Sequence, residues 1–383
     1  MSWVIDPTVT INSVDYTSSS LNGLTVSFGR ATIWEQPRYG YASISIKNDD
    51  NSSIAFDLND SVTITVDNFT GTPVTVFTGK ISSISNTVQS LGSTAKVIIH
   101  NIQAVSPLAT MARVITHTTS WPKEYDDDRL NRIITDSGVS IDVIDTPGVY
   151  EFTAAPADPT DCYSAASNYA GMAFGYIYDT TDGKVGYANE TRRTLEAATY
   201  GYLAIPTNVI LGNSIQSEIN TNNLINDVLL EYKASATVTA TSASSIATYG
   251  KRATDIQTEL EDGTEAQNQA DRYIALRSTP ETVLQSFTVQ LNAPQITSGV
   301  LNALIAVYIG KPIEVNVFPN GIYNGIFRGF VEGWTMNISE YAASLNLNVS
   351  KNTLSLTPTR WQDVSATLIW NDVDATIEWS DFV

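Results

Sequence analysis

Few side chains in this 383-residue sequence have the types and spacing that enzymes use for chemistry. The two histidines, His100 and His117, do not form a metal-spaced pair, and neither a His-Glu-x-x-His motif nor a cysteine cluster is present to bind zinc. Cys162 is the only cysteine, and we expect a buried structural residue there, although a thiol near a distant histidine could act as a nucleophile. No Gly-x-Ser-x-Gly elbow is present. The sequence therefore predicts no catalytic site, no cofactor and no metal.

The acidic residues have simpler interpretations than catalysis. Asp126-Asp127-Asp128 precedes an apolar helical pattern and is typical of a helix start, whereas the stretch 48–51 lacks the spacing of an EF-hand loop and predicts a turn. Carboxylate pairs of the glycosidase kind, distant in sequence, stay open as an alternative. The net charge of −19 comes from 40 acids and 21 Lys and Arg residues, which disfavours stable binding to nucleic acid.

The last 23 residues repeat one small apolar and acidic unit three times. Each unit has a tryptophan, an acid two positions later and an apolar residue next, and the tryptophans recur every nine residues. The residues are Trp361, Asp363 and Val364; Trp370, Asp372 and Val373; and Trp379, Asp381 and Phe382. A segment of this size is too small to form its own core. We expect an extended arm that docks on a neighbouring protein, the alternative being a tail that folds back on its own chain.

Most of the chain alternates apolar and polar residues with period two, which indicates half-buried strands. Helical spacing is confined to the stretches 126–136, 160–170 and 264–277, where Thr264 and Gln267 could form a capping box. The small residues of 235–247 suggest a flexible loop or frayed hairpin. The longest uncharged apolar run, Ala303 to Ile309, is too short to span a bilayer, and the N-terminus does not look like a signal peptide.

Two distant segments share one pattern, which predicts a duplicated β module. The stretch 60–66 is followed by Val76-Phe77-Thr78-Gly79-Lys80-Ile81, and the stretch 311–317 is followed by Ile326-Phe327-Arg328-Gly329-Phe330-Val331. Each ends in one further strand. A glycine at the same offset suggests a bulge or bend in both copies.

Three stretches together resemble the minor tail proteins of tailed bacteriophages, of the tail-hub or baseplate-hub type. The first runs from Phe28-Gly29-Arg30 to Ile81, and the second joins Ala247–Arg252 to the helix before Thr279-Pro280. The third runs from Tyr308-Ile309-Gly310-Lys311 to Phe330-Val331-Glu332-Gly333 and on to the tryptophan repeats. Siphophage minor tail proteins are most similar in that ending.

The resemblance implies a mainly β virion protein with minor α structure and no enzymatic activity. It implies two tube-like β-barrels at 1–112 and 211–352, the second decorated by the helix 264–277, with a peripheral α+β domain at 113–210 and an arm at 353–383. It further implies a homotrimer of pseudo-sixfold shape that is made in the host cytoplasm.

In this interpretation the trimer connects the tail tube and distal tail protein to the tip, near the tape-measure and fibre proteins, and lines or closes an acidic DNA channel. Two alternatives remain. One is a carbohydrate-binding tail module using Trp34, Tyr39 and Tyr41, and the other is a cell-wall glycan hydrolase.

Overall fold

The alternating apolar and polar residues form strands along most of the chain. In this computed structural model, the described residues are 6–16, 21–48, 56–91, 96–219, 221–233, 235–280, 282–316, 318, 323, 325–339 and 342–354. The first segment holds β1 Pro7–Ile11, β2 Val14–Asp15, β3 Leu21–Gly29, β4 Arg38–Asn48, β5 Ser61–Asp67, β6 Pro73–Leu91 and β7 Lys96–Val105.

The middle segment mixes short strands with helices. Its elements are α1 Leu108–Met111, β8 Ile115–Thr116, β9 Glu124–Tyr125, α2 Asp126–Asp136, β10 Ile141–Ile144, β11 Glu151–Phe152, β12 Thr160–Asp161, α3 Cys162–Met172, β13 Tyr176–Asp179, β14 Val185–Ala188, α4 Arg192–Tyr200 and β15 Leu203–Ile205.

The last segment returns to long strands. Its elements are β16 Gln216–Glu218, β17 Asp227–Tyr232, β18 Ala236–Thr241, α5 Ala243–Tyr249, β19 Ala253–Gln257, α6 Gly263–Arg277, β20 Val283–Gln290, α7 Ser298–Ile305, β21 Pro312–Val315, β22 Phe327–Ile338 and β23 Ala343–Lys351. Short 3₁₀ turns lie at Thr207–Val209, Gly212–Ser214 and Asn352–Leu354.

The two ends of the chain form one continuous sheet. Its order is β16-β20-β23-β22-β3-β4-β7-β6-β5-β1-β2, with β21 beside β22 and β15 beside β21. Strand β22 of the last segment pairs antiparallel with β3 of the first, and the buried apolar residues of both halves belong to one core. The prediction of a mainly β protein with minor α structure is confirmed. Among the described strands, however, no pairing closes either half into a separate barrel.

The predicted duplication is present in the local packing. In each half a Phe ring lies over the glycine two residues later, and the same glycine meets a carbonyl oxygen of the neighbouring strand. A Cβ on Gly79 would lie 2.3 Å from the oxygen of Val105, and a Cβ on Gly329 would lie 2.1 Å from that of Ser350. The sequence pattern suggested a bulge at the glycine itself. The register shifts instead follow it, at 81–83 in β6 and at 331–333 in β22.

A second core lies outside the large sheet. Helices α2 and α3 pack there with β13 and β14, and residues of β17, β18 and α6 join the same cluster of buried side chains. Helix α6 packs on β17 and β18. The division into domains at 112 and 210 stays a prediction, since both the middle segment and a part of the last segment contribute to this core.

The three predicted helices are present as α2, α3 and α6, but the sequence pattern did not predict α1, α4, α5 and α7. Helix α6 is capped by Asp262, whose carboxylate accepts hydrogen bonds from the backbone amides of Thr264 and Glu265, so the capping box with Gln267 is wrong. Aspartate is a strong capping residue, and Asp262 stands two positions before Thr264. Of the two alternatives for the stretch 235–247, the hairpin is present and the flexible loop is not, because β18 pairs along its full length with β17 and α5 follows it.

We predict that both repeated glycines are intolerant of a side chain. Gly79→Ala and Gly329→Ala each place a methyl group against a backbone oxygen, and overpacking of this kind typically costs about 1–3 kcal/mol. Urea unfolding measures the loss. Gly23→Ala is the matched control, since a Cβ on this strand glycine meets nothing within 4 Å. Equal stability of all three variants would contradict the packing argument.

Candidate functional site

The tail residues predicted to form an interface lie outside the described residues. Trp361, Trp370 and Trp379, with their acids and apolar neighbours, all follow Leu354, the last described residue. Their docking therefore stays a prediction. The site that the structure does describe is made of contacts that join the two sheet halves and the second core.

The residues that could do chemistry have structural surroundings. Cys162 is buried at the start of α3, and desolvation raises the pKa of its thiol to about 11, so it is not a reactive thiolate at neutral pH. His117 stacks on Trp121 with 3.7 Å between ring centroids. The Nδ1 atom of His100 lies 2.8 Å from the amide oxygen of Asn86. Within the described residues, no three His, Cys, Asp or Glu side chains group as a metal site.

The acidic run at 126–128 starts α2 as expected, and Asp126 also makes hydrogen bonds outside the helix. Asp126 is buried, and its carboxylate accepts hydrogen bonds from the amides of Val149 and Tyr150 at 2.6 and 2.9 Å. The hydroxyl of Tyr187 donates a third at 2.7 Å. Burial raises the pKa of this carboxyl group. Asp126 thus holds the loop before β11 against β14, as a packing residue.

A buried carboxylate at the bulge of β22 joins three parts of the chain. Glu332 is fully buried, and its Oε2 accepts 2.7 Å from Nε of Arg30, directly after β3. Arg193 of α4 approaches both carboxylate oxygens at 2.6 and 2.8 Å. The hydroxyl of Ser350 in β23 donates to Oε1. The guanidinium groups of Arg30 and Arg193 both lie over the ring of Tyr176, 5.0 and 5.1 Å from its centroid. We call these five residues the Glu332 cluster.

The charges of the Glu332 cluster determine its protonation state. Burial alone would raise the pKa of Glu332, but Arg193 and Arg30 outweigh this effect and hold the pKa at about 2. The carboxylate is therefore ionised at neutral pH. The cluster also fixes the backbone, because the amide of Arg30 donates to the carbonyl oxygen of Glu332 at 2.9 Å.

A second buried carboxylate attaches the second core to the first half of the sheet. Asp179 of β13 accepts hydrogen bonds from the amides of Gly40 at 3.0 Å and Leu108 at 3.1 Å, and from the hydroxyl of Ser106. Desolvation raises its pKa to about 7. Strand β13 thus carries contacts to both sheet halves, since Tyr176 of the same strand belongs to the Glu332 cluster.

An open cleft lies beside this junction, where the described chain ends. Its lining includes residues after β3, the end of α6 and the turn that follows α6. These residues are Trp34, Leu276, Arg277, Thr279 and Pro280, and Leu354, which follows β23, also lines the cleft. We call this the Trp34–Arg277 cleft, because the guanidinium of Arg277 lies 4.6 Å from the ring centroid of Trp34.

The aromatic residues proposed for sugar binding differ in exposure. Tyr39 and Tyr41 lie two residues apart on β4 and are 47% and 43% exposed. Trp34 is half-buried and has Arg277 over its ring. The carbohydrate-binding interpretation stays a prediction.

The sequence pattern alone did not predict the role of Glu332, which was named only as part of the run that ends in Gly333. The signal was an acid within the otherwise apolar run 330–334 of β22. Its partners could not be found in the same way, because Arg30 is 302 positions away and Arg193 is 139 positions away.

We predict that removal of the charge on Glu332 destabilises the whole fold. Glu332→Gln leaves Arg30 and Arg193 buried without a counter-charge, and breaking a buried pair in this way costs about 3–5 kcal/mol. Glu314→Gln is the control, because Glu314 pairs with Arg328 at 2.8 Å near the surface of the same sheet and should contribute about 1 kcal/mol or less.

Urea unfolding at pH 7 and pH 3 measures both effects. The folded pKa of Glu332 is about 2 and its ordinary value is 4.5, so its stabilisation is complete above pH 4.5 and is lost as the pH falls towards 2. The gap between wild type and Glu332→Gln should therefore shrink at pH 3. A gap that is small at pH 7, or that grows at pH 3, contradicts the assignment.

Several solved structures with a similar fold are tail proteins, two of them from prophages. The 43 kDa tail protein of prophage MuSo2 from Shewanella oneidensis superposes with a TM-score of 0.63 at 8% identity, over 91% of this chain and 98% of that one. A tail protein from Neisseria meningitidis MC58 gives 0.65 at 12% identity, over 92% and 98%.

Prophage tail protein gp18 from Listeria monocytogenes EGD-e gives 0.55 at 12% identity, over 91% and 95%. No protein-family model and no curated protein matches the sequence. No helix in the described part of the chain is long and apolar enough to cross a membrane. The chain therefore has the fold of prophage tail proteins along nearly its whole length, as the sequence resemblance predicted.

Proposed function

We propose that this protein is a structural subunit of a phage tail, located in the hub at the distal end. The observation that supports this function best is the fold shared with prophage tail proteins over about nine-tenths of the chain. In this proposal the subunit joins the tail tube and distal tail protein to the tip and fibres, near the tape-measure protein. It has no enzymatic role, and its acidic charge disfavours retention of DNA in the channel.

The duplicated sheet supports assembly as a homotrimer. On β22, one edge is covered by β21 up to Phe330, and the same edge is then covered by β3 from Gly333 to Ile338. On β6, the corresponding edge is covered by β5 up to Lys80. From Ser83 to Val88, β6 pairs only with β7, on its opposite edge, among the described strands. Among the described strands, the edge of β6 that corresponds to the β22–β3 joint therefore has no partner strand from Ser83 to Val88.

The strand that matches this unused edge is β16. It lies at one end of the described sheet, and it pairs with β20 as β3 pairs with β4. Gln216 pairs with Ser286 at the point of β20 where Thr25 pairs with Ser43 of β4. We therefore propose that β16 of one copy pairs with β6 of the next.

Repetition of this joint between copies would build a closed ring. Each copy contributes two tube-like modules, so three copies give six positions around the channel. Each module then completes its barrel-like wall with a strand of its neighbour, which accounts for the absence of closed barrels within the described residues of one copy.

We predict a specific cross-link between copies. Thr25 donates a hydrogen bond to Asn337 at 2.9 Å across the β3–β22 joint. Asn337 lies eight residues after Gly329, and Thr87 lies eight residues after Gly79, so Thr87 is the counterpart of Asn337. Thr87→Cys combined with Gln216→Cys should form disulfides between chains, and the covalent products should end at three copies.

Val88→Cys combined with Gln216→Cys is the matched control, because successive side chains of a strand face opposite sides. Denaturing gels under oxidising conditions measure the products, with buried Cys162 present in both variants. Cross-linking of the control to the same extent, or products of six copies, would contradict the trimer.

We also predict that the tryptophan repeats are needed for assembly and not for folding. Truncation after Asn352 should leave a folded, soluble protein that does not enter tails, since a buried anchor Trp contributes about 2 kcal/mol or more to an interface. Thermal unfolding and immunoblots of purified tails measure the two outcomes. An unfolded truncated chain, or normal incorporation, would contradict the docking arm.

A further inference from the structure

The Trp34–Arg277 cleft contains a cation without a carboxylate partner. The Nε of Arg277 donates to the backbone oxygen of Asn223 at 2.9 Å, and its guanidinium lies against Trp34. No acidic side chain of the described residues approaches Arg277 within ion-pair distance, although the chain has 40 acids. Burial lowers the pKa of this guanidinium, and only Tyr273 offsets the effect. A carboxylate from elsewhere would therefore be bound favourably here.

The apolar part of the cleft has the chemistry of an aromatic binding site. Leu276, Pro280 and Leu354 line it together with the ring of Trp34. Aromatic side chains bind well in such apolar clefts, because they bury a large surface area and lose little conformational entropy on binding. A ligand for the whole cleft should combine an aromatic group with a nearby acid.

The sequence after Leu354 carries this combination at close range. Leu354 itself lines the cleft, and Trp361 follows it by seven residues, a span of at most about 25 Å when extended. Asp363 then follows Trp361 by two residues. The next tryptophan, Trp370, has a longer tether and therefore a lower effective concentration at the cleft.

We propose that the first tail unit docks in the Trp34–Arg277 cleft of its own chain, with Trp361 on the apolar lining and Asp363 paired with Arg277. The acid of the cleft, Glu218, is occupied by the amide of Gln285 and does not compete for Arg277. This contact fixes the root of the arm. The units of Trp370 and Trp379 are then left for the neighbouring protein.

This inference deepens the docking-arm part of the proposed function, and its test needs no assembled tail. In the full chain, Thr279→Cys combined with Gln362→Cys places two thiols at the cleft, since Thr279 is exposed on its lining and Gln362 lies between Trp361 and Asp363. The pair should form an intrachain disulfide in a glutathione buffer. Gel mobility and mass measurement follow its rate.

The controls separate docking from random encounters of the tail. Trp361→Ala in the double-cysteine chain should slow the disulfide at least tenfold, whereas Trp379→Ala should leave the rate unchanged. Asp363→Asn and Arg277→Gln should each slow it about fivefold, and their combination should add little to either one. Thr279→Cys with Asn371→Cys, the equivalent position of the second unit, should react more slowly than the Gln362 pair.

Three results would overturn the proposal. They are no disulfide at all, a disulfide between chains instead of within one, and equal effects of Trp361→Ala and Trp379→Ala. None of these results would exclude docking of the arm on a neighbouring protein. The proposed tail function is tested separately, by the truncation and by the cross-link of β6 to β16.

Discussion

The ion pairs of Glu332 hold the two halves of the sheet and the second core in one arrangement. A carboxylate that is fully buried needs both charge compensation and hydrogen bonds, or its desolvation would cost several kcal/mol. Arg30 supplies one partner from the first half and Arg193 supplies another from the segment that leads back to the second half. None of these three residues can move alone without leaving a buried charge unpaired. The order of β3 beside β22 is therefore determined by charge as well as by strand pairing.

The duplicated modules use the same local packing but differ at the bulge. Gly79 and Gly329 meet a Phe ring and a carbonyl oxygen in the same way. The bulge that follows contains Glu332 in β22 and Ser82 in β6, where the hydroxyl donates to the backbone oxygen of Gln103 at 3.1 Å. The charged bulge lies at the joint inside the chain, and the neutral bulge lies at the exposed edge. An unpaired buried charge at a joint between copies would oppose folding of the isolated subunit, which is a reason for this asymmetry.

Local pattern predicted the strands, α2, α3, α6 and the duplicated Gly79 and Gly329, because these depend on spacing within a few residues. The same reasoning could not predict the β22–β3 joint or the pairing of Glu332 with Arg30 and Arg193, because these partners are separated by more than a hundred positions. For the stretch 235–247 it left a flexible loop and a frayed hairpin open, and the hairpin is present, because β18 forms a complete antiparallel ladder with β17. The cap of α6 could have been predicted from the sequence, because Asp262 directly precedes the helix and aspartate is a preferred capping residue.

The polar composition of the β6 edge would help such a subunit to stay monomeric before it binds to a tail. Between Ser83 and Val88 the edge carries Ser, Asn and Thr side chains that are mostly exposed, with few of the branched apolar residues that make a free edge aggregate. Pairing with β16 would then rest mainly on backbone hydrogen bonds over a short strand, and such a contact is weak when made once. Closure of a ring makes all joints at the same time, and an arm anchored at its root raises the effective concentration of its free units near a neighbour. A β6–β16 contact that is weak on its own, but is strengthened by ring closure and by the arms, would thus favour assembly on a tail over aggregation in solution.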